Sequence, residues 1–94
     1  SPQLVNTKIL MLHTLETLNN PQTATDKRNK AKIENFIDEV GKMKSFGAND
    51  LIRVWKKQRS NSMNFNTVIL KDIVLKYHDF VERKKHRIWV KKEG

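Results

Sequence analysis

The chain contains no cysteine, only two prolines and three glycines, and few aromatic residues. Without cysteine there are no disulfide bridges, thiolate nucleophiles or cysteine zinc sites. The longest apolar run, residues 9–12, falls far short of the roughly 20 residues that a membrane-spanning helix needs. The start, residues 1–3, lacks the blocks of a secretory signal and is interpreted as the beginning of a fragment of a longer protein. With 94 residues, the sequence predicts a single domain over 1–94 that is stabilised by packing alone.

Acidic residues are also few, and their shortage is uneven. The chain has 19 Lys and Arg against 10 Asp and Glu, which gives a formal charge of +9. Residues 1–50 hold seven basic and six acidic residues (net +1), whereas residues 51–94 hold twelve and four (net +8). Any function of this charge therefore belongs to the C-terminal half.

Helical spacing dominates, and alternating strand patterns bounded by turn signals are absent. A first helix should end at Asn19-Asn20-Pro21, and a second should begin at Thr23 with Asp26 completing its cap. The second helix should end near Phe46-Gly47, where glycine suits a left-handed cap. Asn49-Asp50 should cap a third helix, and Asn64 or Asn66 a fourth.

The predicted fourth helix carries the strongest pattern, because its apolar residues share an arc of about 140° at 100° per residue. These residues are Ile69, Leu70, Ile73, Val74, Tyr77, Phe80 and Val81. The helix should then continue into a basic extension over residues 83–94, beyond a core of about residues 3–82. The predicted fold class is all-α, a compact bundle of four to five helices.

Residues that could support catalysis are not grouped in the sequence. His13, His78 and His86 show no metal-ligand spacing, and Asp38-Glu39 is better interpreted as a solubilising pair than as an acid and base. The three glycines form no phosphate-binding loop. The sequence therefore predicts a protein that is not an enzyme and has no metal and no cofactor.

Two basic clusters allow two interpretations each. Arg83-Lys84-Lys85-His86-Arg87 could attract nucleic-acid phosphate or an acidic protein, or could complement the dipole at the end of a helix. The same alternatives hold for Lys56, Lys57 and Arg59 at the end of the third helix. A helix lying on a membrane is disfavoured, because the apolar arc of the fourth helix is needed for the core.

A third feature is the pair Met63 and Phe65 in the connection before the fourth helix, with Val68 just beyond it. Apolar side chains in a loop between helix ends could form a pocket for a short peptide. They could equally form a hydrophobic staple that fixes the start of the helix, and the two roles can coexist.

The joint spacing of several motifs resembles a known family. Residues 51–57, Leu-Ile-Arg-Val-Trp-Lys-Lys, followed by Val68-Ile69-Leu70 and by Tyr77-x-x-Phe80, are similar to the N-terminal helical domain of transcription elongation factor IIS. They are most similar to its integrase-binding variant in lens epithelium-derived growth factor and related proteins. The resemblance covers roughly residues 30–82.

That resemblance implies a compact right-handed helical bundle in a nuclear protein of transcription elongation or chromatin. Its members are adaptors that hold disordered motifs with a Phe-x-Gly-Phe-like core and an acidic flank, between two loops. Carried over to this chain, the paired apolar contacts are Met63 and Phe65 in one loop, and the aligned stretch of the other loop is Ala24, Thr25 and Asp26; Val68, from the residue pattern, completes the predicted peptide site. The aligned Asp26 is one position late, and Ala24 is small.

The leading functional hypothesis is therefore a non-catalytic, monomeric scaffold domain that binds acidic-aromatic peptides. Lys56, Lys57 and Arg59, with Lys84, Lys85 and Arg87, would attract the acidic flank and speed association. The alternative is a basic helical domain that contacts nucleic-acid phosphates through residues 83–92 and the Lys56, Lys57 and Arg59 cluster.

Overall fold

The computed structural model describes residues 9, 12–16, 18–58 and 65–92, which form four helices and three strands. The described residues of helix α1 are 9, 12–16 and 18–19. The other helices are α2 (Ala24–Gly41), α3 (Ala48–Lys57) and α4 (Thr67–Tyr77), and the strands are β1 (Ser45–Phe46), β2 (Phe80–Arg83) and β3 (Ile88–Lys91).

Helix α2 begins where the sequence predicts it. The hydroxyl of Thr23 accepts a hydrogen bond from the Asp26 N–H at 3.0 Å, and the Asp26 carboxylate accepts one from the Thr23 N–H at 3.3 Å. This reciprocal cap satisfies donors that the first turn of a helix leaves unpaired. The predicted end near Phe46-Gly47 is wrong, because α2 stops at Gly41 and Phe46 enters β1.

Helices α3 and α4 also begin at polar caps. The Gly47 N–H donates to the Asp50 carboxylate at 3.0 Å, so α3 starts at Ala48, just before the predicted Asn49-Asp50. The side-chain oxygen of Asn66 accepts from the Ile69 N–H at 2.9 Å and starts α4. Gly47 has φ −126°, which is extended backbone and not the left-handed cap that was expected.

The predicted all-α fold class is wrong, because the chain after α4 forms a β-hairpin. Residues 80–83 and 88–91 are strands instead of a continuation of the fourth helix. The basic residues that were expected on a helical extension therefore begin in a hairpin. Strand β3 lies between β1 and β2 and is antiparallel to both. The domain is therefore mixed, with helices packed beside a three-stranded antiparallel sheet.

The aromatic side chains of the hairpin, Phe80 and Trp89, pack on Phe46 of β1. Phe46 lies opposite Trp89 in the sheet, and its ring meets Phe80 edge to face at 4.8 Å and stacks on Trp89 at 6.4 Å. Aromatic and β-branched residues pack well on a pleated, half-buried surface. Tyr77 and Val81, which were assigned to the apolar arc, are 47% and 52% exposed.

The order of elements from α2 onward is helix, strand, two helices and a hairpin, with strand order β1-β3-β2. The hairpin of β2 and β3 therefore follows α4 directly, and β3 lies beside β1. Topology alone does not decide function, so function has to be argued from the side chains.

One core joins the helices to the sheet. The apolar stripe of α2 packs on Leu51, Val54 and Trp55 of α3 and on the buried face of α4. The side chains that are almost completely buried are Phe36, Phe46, Ile33, Ile69, Leu70, Ile73, Val40, Val54 and Val74. In the described part of the chain, no helix is long and apolar enough to cross a membrane.

Candidate functional site

The turn of the hairpin, residues 84–87, is built from basic residues. The His86 N–H donates to the Arg83 carbonyl at 3.1 Å, and the Arg87 N–H donates to the Lys84 carbonyl at 3.3 Å. Arg87 closes the turn with φ +53°, the left-handed conformation. Side chains with a Cβ adopt that conformation at a cost of about 1–2 kcal/mol. An arginine therefore stands where glycine would be favoured.

All the cations of this turn are exposed to solvent. Arg83, Lys84, Lys85 and Arg87 are exposed, and among the described residues none of them forms an ion pair. The interpretation that they complement a helix dipole does not hold, because α4 ends at Tyr77 and these residues follow in the hairpin. The fold gains nothing from bringing these like charges together.

A groove of about 140 Å³ lies between this hairpin and the starts of α3 and α4. It brings together Val68 and Arg87, which belonged to two different predicted sites. The groove is lined by Gly47, Ala48, Leu51, Thr67, Val68, Lys71, Arg87 and Trp89. Cationic groups lie beside apolar and aromatic surface in this groove.

Trp89 is the aromatic centre of the groove. Its ring is half-buried on the central strand and nearly parallel to the Phe46 ring, with 11° between the planes. The Lys71 ammonium lies over the ring, 5.6 Å from its centroid, within the range of a cation–π contact. The sequence interpretation missed both residues, although a lone Trp between Ile88 and Val90 in a basic stretch was an available signal.

The second basic cluster lies elsewhere on the domain. Lys56 is exposed at the end of α3, and the Lys57 ammonium pairs with the Glu39 carboxylate of α2 at 2.8 Å. A ten-residue helix is about 15 Å long, which separates this end of α3 from the groove at its start. Arg59 lies outside the described residues.

Two of the residues assigned to a peptide site, Phe65 and Asp26, have contacts within the fold. Phe65 is half-buried and stacks on Trp55, with 5.1 Å between the ring centroids. Asp26 caps α2, and Ala24 and Thr25 are exposed on its first turn. Met63 lies outside the described residues. Peptide binding by these residues stays a prediction.

A larger concavity of about 400 Å³ lies between α1, α2 and the end of α4. Its charged side chains include Lys30 and Glu34, which pair loosely with each other at 3.9 Å. His78 also lines it, but the imidazole packs against Gly41, and its Nε2 is buried without a hydrogen-bond partner in the described structure. Within the described ranges, no group of three or more His, Asp or Glu side chains could hold a metal ion.

Comparisons with protein-family models, curated proteins and solved structures found no match to this chain. The likeness to the elongation factor IIS domain therefore rests on the sequence motifs alone. Its implied all-helical fold is contradicted by the sheet. The roles in transcription and chromatin and the nuclear location stay predictions.

Proposed function

We propose that this domain binds nucleic acid without catalysis, through the basic turn of the β2–β3 hairpin. The observation that carries the proposal is the exposed and unpaired state of Arg83, Lys84, Lys85 and Arg87 on one short turn. The cluster is the one that the sequence offered as a phosphate contact, now placed on a hairpin.

A turn that carries several unpaired cations is expected to bind polyanions. Lysine and arginine bind phosphate by releasing counterions, and this term supplies most of the affinity that does not depend on sequence. A hairpin that projects several unpaired basic side chains therefore matches a phosphate backbone in charge.

Peptide binding is the competing hypothesis, and the contacts of its residues weigh against it. The Phe65 ring is already stacked on Trp55, and the Asp26 carboxylate already accepts from the Thr23 N–H. Both side chains therefore have a role in the fold that requires no partner. No comparable internal contact occupies the side chains of Lys84, Lys85 and Arg87 among the described residues.

The experiment is a salt series of binding to a fluorescently labelled oligonucleotide, followed by anisotropy. Four phosphate contacts give a slope of log affinity against log salt of about −3.6 for a duplex and about −2.8 for a single strand, so affinity should fall about 50- to 150-fold between 50 and 200 mM salt. Replacing Lys84, Lys85 and Arg87 with glutamine should reduce this slope by about 2 to 3 and weaken binding at low salt.

A matched control removes the same charge from another surface. Lys27→Gln, Arg28→Gln and Lys32→Gln lie on the first half of α2, away from the Gly41 end that contacts β3. This triple variant should keep most of the affinity. Equal losses in both triple variants, or no binding by the unaltered domain, would contradict the proposal. Binding of an acidic Phe-x-Gly-Phe peptide that Phe65→Ala abolishes would favour the competing hypothesis.

A further inference from the structure

The kind of nucleic acid can be inferred from the groove beside the hairpin, and this inference rests on the proposed function. Helix α4 borders the groove but offers few side chains that could recognise base pairs in a duplex. Its residues that are not buried are Thr67, Val68, Lys71, Asp72, Leu75, Lys76 and Tyr77. They include no Arg, Asn or Gln, the side chains that with Lys make the commonest paired hydrogen bonds to purines. Asp72 adds a carboxylate that repels phosphate.

Trp89, by contrast, has the properties of a stacking platform. Its ring is only half-buried, so part of it faces the groove. Phe46, which is 1% exposed, holds the ring from the core side in a nearly parallel stack. A ring held in this way loses little freedom when a flat ligand stacks against it.

Cations flank the platform. The Lys71 ammonium lies over the Trp89 ring and also pairs with the Asp72 carboxylate at 3.2 Å. Arg87 reaches the same groove from the hairpin turn. Proteins that bind single strands combine aromatic rings, which stack on bases, with basic grooves, which follow the backbone.

We infer that the groove takes an unpaired base of single-stranded DNA, stacked against Trp89, with the flanking phosphates held by Lys71 and Arg87. Lys71 would leave its place over the ring when the base enters. The left-handed backbone of Arg87 would then have a functional reason, because it places a cation at the edge of the Trp89 ring.

The lining favours DNA over RNA. Ala48 and Val68 present apolar surface, which suits the methyl group of thymine. The uncharged side chains of the groove offer a ribose 2′-hydroxyl two polar groups, the Thr67 hydroxyl and the Trp89 indole N–H. RNA is therefore an outcome to be tested against DNA.

The test compares oligo(dT), oligo(U) and a DNA duplex of the same length, by anisotropy and by tryptophan emission. Trp89 and Trp55 are the two tryptophans of the chain, and Trp55 is 8% exposed. We expect oligo(dT) to bind more tightly than the duplex and to quench emission. Trp55→Phe should retain this quenching, whereas Trp89→Phe should lose it while still binding.

Trp89→Leu should weaken oligo(dT) binding about 5- to 150-fold, the range for loss of one stacked base. Circular dichroism would show that both Trp89 variants are folded. Equal or tighter binding of the duplex, with unchanged emission, would overturn the stacked base but leave the basic turn as a nucleic-acid site. Equal or tighter binding of oligo(U) would overturn the assignment to DNA. Absence of binding to all three probes would contradict the proposed function itself.

Discussion

Replacing Phe46 with alanine should uncouple the sheet from the helices. Phe46 is 1% exposed and contacts Phe80 and Trp89, one from each strand of the hairpin. Truncation of a buried phenylalanine costs about 3–5 kcal/mol, a range that includes the ring contacts it removes. We therefore expect a loss of about 4 kcal/mol. A domain of this size is stable by only about 5–14 kcal/mol.

The measurement is urea unfolding followed by circular dichroism of the helices. With a slope of about 1.5 kcal/mol per molar urea, the midpoint should fall by between about 2 and 3 M. Val81→Ala on β2 is the control, since Val81 is 52% exposed and its truncation should cost less than about 1 kcal/mol. Both changes shorten a side chain of the sheet, but only one of them removes a core contact.

The reasoning would be refuted if Phe46→Ala were as stable as Val81→Ala. NMR contacts across the sheet provide an independent check, because Phe46 lies opposite Trp89 and Val81 lies opposite Val90. Sequential helical contacts running through residues 78–91 would show a continuous helix, and the placement of the basic residues on a hairpin would then be wrong.

Three further predictions concern single contacts. A Cβ at Gly41 would overlap the His78 ring. Although Gly→Ala usually stabilises a helix, Gly41→Ala should therefore destabilise the domain by about 1–2 kcal/mol in urea unfolding. The double variant with His78→Ala should recover part of this loss, and additive losses would show that the overlap is not the cause. The Lys91 ammonium donates to the Gly41 carbonyl at 2.6 Å, so Lys91→Met should lower thermal stability by about 1 kcal/mol; an unchanged melting temperature would show that the bond contributes nothing. Arg87→Gly should raise the free energy of unfolding by about 0.5–1 kcal/mol, by relieving the left-handed residue, while weakening oligonucleotide binding. Weaker binding without a gain in stability would mean that Arg87 is not strained.

Local signals in the sequence correctly predicted the features that depend on near neighbours. The Thr23 and Asp26 cap, the Asn66 cap and the buried stripe of α4 each involve residues within one or two helical turns. Spacing and capping chemistry are sufficient for such elements, because the partners are fixed by the helix itself.

The sheet could not be predicted in the same way. Strand β1 is two residues long, too short to show an alternating pattern. Its partner β3 is distant in sequence, and the pairing of Phe46 with Trp89 becomes visible only in three dimensions. The spacing of Tyr77 and Phe80 also fits a helix, so periodicity predicted that α4 continues through Phe80. Tertiary contacts instead end the helix at Tyr77.

The candidate site was only partly visible for the same reason. The basic residues 83–87 were identified, but on a helix, where cations near the C-terminus gain about 0.3–1 kcal/mol each from the dipole. Trp89 and Lys71 were missed because they lie far apart in sequence and meet only when β3 packs beside α4.

The contribution of the basic residues to stability depends on whether they lie on a helix or on a hairpin. At the end of a helix they would stabilise the fold, so their presence would need no ligand to explain it. On the hairpin turn they repel one another, and Arg87 adds a left-handed backbone that glycine would adopt at less cost. A turn selected for stability alone would favour glycine or asparagine at this left-handed position. The cationic turn therefore carries a cost in stability, which an anionic partner at the same residues would offset.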